Sequence, residues 1–110
     1  MIILDPDRDG CTVWLINPYV KEQNKVTHLK GNVEEVCKSL ISRLTEYKKV
    51  KNQWGNYVDK LFWKDYVYLD VAAMGRCYKD IFEHYDLPVE DVRACSPNSI
   101  IPVEMYLQGE

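Results

Sequence analysis

The sequence predicts a single α/β domain over residues 1–110, with a mixed five-stranded sheet in the element order β-β-β-α-β-α-β. Three observations predict it. Short β-forming runs over 2–5, 11–16 and 26–29 crowd the first third of the chain and are separated by turn residues. Two later stretches carry apolar residues at helical spacing. Strand-like runs over 66–71 and 89–95 flank the second of these, the pattern of parallel strands joined by a right-handed crossover.

The first run, Ile2-Ile3-Leu4, reads as a buried strand closing on Asp5. Asp5-Pro6-Asp7-Arg8-Asp9-Gly10 is turn chemistry, with Gly10 free to take positive φ. Residues 11–16 are rich in β-formers and should return antiparallel to the first strand, and 26–29 form a third. The first helix begins at Asn32, an N-cap with Glu35 three residues on. Its face is Val33, Val36, Cys37, Leu40, Ile41, Leu44 and Tyr47, and Lys48, Lys49 and Lys51 fall at its C-terminal end, where the helix dipole favours cations. Residues 52–65 read as a loop with a helical turn, packed by aromatics. The second helix presents Met74, Cys77, Tyr78, Ile81, Phe82 and Tyr85, and Asp86-Leu87-Pro88 stops it. Residues 100–107, with Pro102, read as an edge strand or a short helix.

The 110 residues suit one domain, and 46% hydrophobic with 28% charged residues is an ordinary globular composition. No apolar run approaches the ~18 residues a membrane span needs, and the first residues do not read as a signal peptide. Cys11, Cys37, Cys77 and Cys95 are widely spaced, without the density of a disulfide framework. The expectation is reduced thiols in a cytoplasmic protein, with Cys37 and Cys77 acting as small hydrophobes on helix faces. The formal charge of −3 argues against a generally basic nucleic-acid binder, unless positive charge is concentrated locally or metal ions intervene.

The acidic tip admits three chemical readings beside that of a solvated hairpin turn. Asp5-x-Asp7-x-Asp9-Gly10 matches the first half of a calcium loop, but the twelfth position is Ile16 where a bidentate Glu is required. An apolar strand followed by Asp-x-Asp also occurs in phosphatases with an aspartyl nucleophile. Here Asp9 stands where that pattern needs Thr or Val, and the chain is short for the remaining motifs.

The third reading uses more of the chain. Ile3-Leu4-Asp5-Pro6 followed by Gly10-Cys11-Thr12-Val13-Trp14, then Tyr66-Val67-Tyr68-Leu69-Asp70, Met74-Gly75-Arg76, Leu87-Pro88-Val89 and Ser96-Pro97, resembles the Holliday-junction resolvase and phage terminase nucleases of the ribonuclease-H-like superfamily. The resemblance covers most of residues 2–100, and order and spacing carry it. It implies a ribonuclease-H-like sheet and a metal-dependent DNA endonuclease using magnesium or manganese. Asp5 and Asp70 would be catalytic metal ligands, with Asp7 a weaker ligand. The families add acids on a later helix that this chain does not show, and Glu104 is the best-placed remaining carboxylate.

Lys48, Lys49, Lys51, Lys60 and Lys64 interleave with Trp54, Tyr57, Phe62 and Trp63. Basic residues with aromatics clamp single-stranded nucleic acid by charge and stacking; Lys48, Lys49, Lys51 and Arg76 are the candidates for nucleic-acid contact. The plainer reading is a helix end followed by a packed aromatic loop. Exposed instead, Trp54, Tyr57 and Trp63 would form a protein-interaction surface. The alternative function is therefore a non-catalytic acidic interaction protein of phage or mobile-element type, binding a host enzyme, a partner subunit or another copy of itself. His28 and His84 form no zinc pattern.

Overall fold

The computed structural model describes residues 1–17 and 19–92. The expected tail element, Cys95, Glu104 and the end of the 89–95 strand lie outside the described residues. The elements are β1 (Ile2–Pro6), β2 (Gly10–Leu15), β3 (Lys25–Lys30), α1 (Val33–Leu44), β4 (Thr45–Lys51), β5 (Tyr57–Trp63), β6 (Val67–Asp70), α2 (Gly75–His84) and β7 (Glu90–Val92), with a short 3-10 turn at Lys21–Gln23.

Five strands form one mixed sheet in the order β3-β2-β1-β6-β7. The first three are antiparallel neighbours, while β6 runs parallel to both β1 and β7. The mixed α/β class, the five-stranded sheet and the two helices are as the sequence predicts. The element order is not: β4 and β5 form a separate two-stranded hairpin between α1 and β6.

Strand alternation sorts the side chains. Ile2, Leu4, Cys11, Val13, Val67 and Leu69 share one face and are buried against Val36, Cys37 and Leu40 of α1 and Tyr78 and Phe82 of α2. At ~1.5–3 kcal/mol for each fully buried large apolar side chain, this face is the main source of stability. Burial also pushes the Cys11 and Cys37 thiols up to about 12, so both are inert apolar groups. Cys77 corrects its expectation: it is exposed on α2.

Local chemistry sets both helices. The Asn32 side chain accepts from the Glu35 amide at 2.9 Å and caps α1. At the end of α2, Asp86 (φ +56) donates to the Glu83 carbonyl and Leu87 to the Phe82 carbonyl, a Schellman closure with Asp in the left-handed position. The buried Leu87 supplies its hydrophobic contact.

The segment after Leu44 is where the sequence reading fails. The helix ends at Leu44, so Tyr47, Lys48, Lys49 and Lys51 lie on a strand, and residues 52–65 are not a loop with a helical turn. Asn52 accepts from the amides of Trp54 and Asn56, and Gly55 at φ +83 completes the reversal. This pairs Thr45 with Trp63 through to Lys51 with Tyr57. The Lys64 amide ties the hairpin base to the Leu44 carbonyl at 2.8 Å. Trp63 packs edge-on against Phe82 at 5.0 Å, and its indole nitrogen donates to the Pro88 carbonyl. Trp54 and Tyr57 are 76% and 68% exposed, against the expectation of a packed aromatic loop.

Two glycines permit close approaches. A Cβ at Gly10 (φ +155) would lie 1.8 Å from the Leu29 carbonyl oxygen, and one at Gly75 would lie 1.7 Å from that of Asp70. Gly75→Ala should therefore cost at least ~2 kcal/mol, by forcing backbone apart. Chemical denaturation should show the loss, while Ala at the exposed position Met74 should change stability by less than ~0.5 kcal/mol.

Candidate functional site

Asp5 is on β1 and Asp70 is the last residue of β6. The parallel register aligns Leu4 with Leu69, so the next residues, Asp5 and Asp70, stand side by side. Leu4 and Leu69 point into the core, and alternation turns both carboxylates to the face opposite that core. Asp5 also pairs with Thr12, and Thr12 with His28. One row across four strands therefore carries His28, Thr12, Asp5 and Asp70 on a single face.

The Asp5 and Asp70 carboxyls lie close enough for one to hydrogen-bond the other when it carries a proton. Partial burial, that hydrogen bond and the charges of Asp70 and Asp7 together push the Asp5 carboxyl up to about 6. Asp70 is 8% exposed, and its Oδ1 accepts from the Ala72 amide at 2.9 Å. The connection to α2 contains Ala73 at φ +49, a conformation unfavourable for a residue with a Cβ, right beside the acid pair. The Gly75 approach brings the start of α2 against Asp70, where an added Cβ would also lie 4.0 Å from the Pro6 side chain.

Asp7 is engaged elsewhere. Its Oδ2 lies 2.9 Å from His28 Nε2, and its Oδ1 accepts from the Asp9 amide at 2.8 Å. The His28 contact holds the Asp7 carboxyl below the usual range. The acidic tip is thus a turn in which Asp7 orders the loop and Asp5 alone joins the second acid.

Two neighbouring carboxylates on adjacent strands offer hard oxygen donors, the ligand type that divalent cations such as Mg²⁺ take. Among the described residues, no group of three or more His, Cys, Asp or Glu side chains completes a metal cage. Glu104, the expected further ligand, lies outside the described residues.

The other sequence candidates fall in two places. Arg76 is exposed in the first turn of α2, next to the Gly75–Asp70 approach. Lys48, Lys49 and Lys51, with Trp54 and Tyr57, are on the hairpin. Trp63 is at the hairpin base, half-buried against α2. Sequence reasoning missed Thr12 and the placement of His28 beside the acids. The available signal was the alternation along 11–16 and 26–29, which puts Thr12 and His28 out of phase with the core residues.

Among the described residues, no helix is long and apolar enough to cross a membrane. No family model, curated protein or solved structure matches the chain.

The raised Asp5 carboxyl has a consequence for stability. The folded state holds its proton up to about pH 6, whereas the unfolded chain releases it near 3.8. The contribution is complete below ~3.8 and is lost as pH rises through ~6. Because Asp5 is partly open to solvent and screened, the loss should be on the order of 1–2 kcal/mol. Relative to the wild type, Asp5→Asn should gain that amount between pH 4 and pH 7. Urea denaturation at both pH values measures it, and parallel wild-type and variant profiles would refute the assignment.

Proposed function

We propose that the Asp5–Asp70 pair is the divalent-cation site of a small ribonuclease-H-like protein that cleaves DNA phosphodiester bonds in the manner of the resolvase and terminase nucleases. One observation carries the proposal: carboxylates 65 positions apart in the chain become neighbours on two adjacent parallel strands, close enough to perturb each other's protonation. A site with ions ~4 Å apart needs carboxylates within ~8 Å of each other, and side-by-side residues on paired strands ~4.8 Å apart suit that condition.

Bound Mg²⁺ or Mn²⁺ supplies activation of water and stabilisation of the leaving oxygen. Within the chain, Asp5 and Asp70 hold the cation, and the Ala72 amide orients Asp70. Thr12 and His28 extend the same row, where a phosphodiester lying along it would meet a hydroxyl and an imidazole. Asp7 fixes the His28 ring. Glu104 remains the proposed further ligand.

A second reading, a non-catalytic interaction protein, draws support from the sheet face opposite the two described helices. The adjoining row aligns Val26, Trp14, Ile3 and Tyr68, and no described helix packs on these residues. Such an apolar row suits a protein partner or a second copy of the chain. Solution mass tests the homo-oligomer: a monomer at high micromolar concentration removes that form of the reading.

Millimolar Mn²⁺ should raise the melting temperature of the wild type by several degrees, as expected for a ligand at ~100 times its Kd. It should leave Asp5→Asn and Asp70→Asn unchanged. Cleavage of branched or linear duplex DNA with Mn²⁺ should fall at least ~100-fold in both variants, read by gel against the wild type. Wild-type cleavage rates in Asp5→Asn would end the assignment.

A further inference from the structure

The β4–β5 hairpin has a charge and shape that the acid site does not use. Four lysines against Glu46 and Asp59 leave residues 45–63 with an excess of two positive charges, in a chain of formal charge −3, so the remainder carries −5. Positive charge is therefore concentrated on one arm. Both faces of its outer half are exposed, and at seven residues a strand it is ~24 Å long.

The lysines are divided between the two faces. Cross-strand pairing places Lys48 directly opposite Lys60 on one face. Lys49 and Lys51 alternate onto the other, opposite Asp59 and Tyr57. Opposed like charges disfavour a strand pair, so the Lys48–Lys60 juxtaposition leaves two cations close together that need partners. Both ammonium groups stand over the Phe62 ring, at 5.6 and 5.4 Å. Their ion pairs with Glu46 at 3.4 Å and Asp86 at 3.1 Å, and that of Lys49 with Asp59 at 3.8 Å, are solvent-exposed and weak. A phosphate can displace them. The exposed Trp54 caps the tip, with Tyr57 at the adjoining strand end.

We infer that this hairpin is a DNA-binding arm that enters the major groove of a B-form duplex. Cations on both faces match a groove walled by phosphates on both sides. A two-stranded ribbon fits the ~12 Å width of the B-DNA major groove, whereas the major groove of A-form RNA is too narrow for side chains to read. Trp54 makes the uncharged contact at the leading end. The inference rests on the nuclease reading only for DNA as the substrate; the arm binds without metal and without cleavage.

Fluorescence anisotropy with a labelled 20-base-pair DNA duplex, in EDTA and with the full chain, tests it. The wild type should bind at 50 mM salt, with log Kd rising by about 3–4 per decade of salt, as four phosphate contacts require. Lys49→Gln/Lys51→Gln and Lys48→Gln/Lys60→Gln should each weaken binding at least tenfold and lower that slope by about two. Trp54→Ala should weaken binding about fivefold without altering the slope, because its contact displaces no counterion. Circular dichroism should show all variants folded, since every changed side chain is on the exposed arm.

No binding at 50 mM salt overturns the inference, as do lysine variants that bind like the wild type. Tighter binding of single-stranded DNA or duplex RNA overturns the groove geometry and with it the inference. Binding in EDTA without cleavage in Mn²⁺ supports the arm and counts against the acid-site reading. Cleavage that survives loss of the lysines supports the acid site and counts against the arm.

Discussion

The parallel pairing of β1 with β6 is the contact on which the rest of the structure depends. It stacks Ile2 on Val67 and Leu4 on Leu69 at the centre of the core, where Leu4 and Leu69 are fully buried. The residue after each leucine is an aspartate, and alternation sends it to the other face. One register thus builds the apolar centre and sets two like charges against each other. Moving β6 by one residue would expose Leu69 and bury a carboxylate among methyl groups, which is why this register is strongly specified. The raised Asp5 carboxyl, owed first to its partial burial and then to Asp70 beside it, is the cost of that arrangement, held in place by hydrophobic packing one residue away.

The sheet is consequently two-sided. Both helices pack on the face of Leu4, Val13 and Leu69, and their side chains contact each other through the same core. The opposite face carries the His28–Thr12–Asp5–Asp70 row and, beside it, the Val26–Trp14–Ile3–Tyr68 row. Polar and apolar rows lie next to each other because successive residues on one face of a strand are two apart in the chain. A ligand on the acids would also touch the edge of the apolar row. The Asp7–His28 contact closes this surface at the β3 edge and ties the acidic turn to the sheet.

The hairpin is joined to this body mainly at its base. Thr45 follows the last helical residue directly, with its hydroxyl returned to the Ile41 carbonyl, and Trp63 is locked between Phe82 and Pro88. Beyond those anchors the two strands are supported chiefly by each other. Charge is divided in the same way, with acids at the sheet edge and an excess of lysines on the arm. A negatively charged chain can carry a cationic surface when the cations occupy one element.

Much of the architecture was legible in the residues. The Asn32 cap, the Asp86-Leu87-Pro88 stop and the alternation in 2–5, 11–16 and 66–70 are short-range signals, each set by hydrogen-bonding or burial within a few positions. They were enough to place both helices, the five-stranded sheet and two aspartates at strand ends. The hairpin was not legible in the same way, because Tyr47 happens to continue the helical spacing of Leu40 and Leu44. What ends the helix is the pairing of 45–51 with 57–63, a partner beyond the window in which periodicity is read. The site divides along the same line. Asp5 and Asp70 are local features of two strand ends, but their closeness, the removal of Asp7 to His28 and the alignment of Thr12 and His28 with the acids depend on which strands become neighbours. Strand order and register are decided by burial of the whole sheet face at once, so tertiary structure alone determined them.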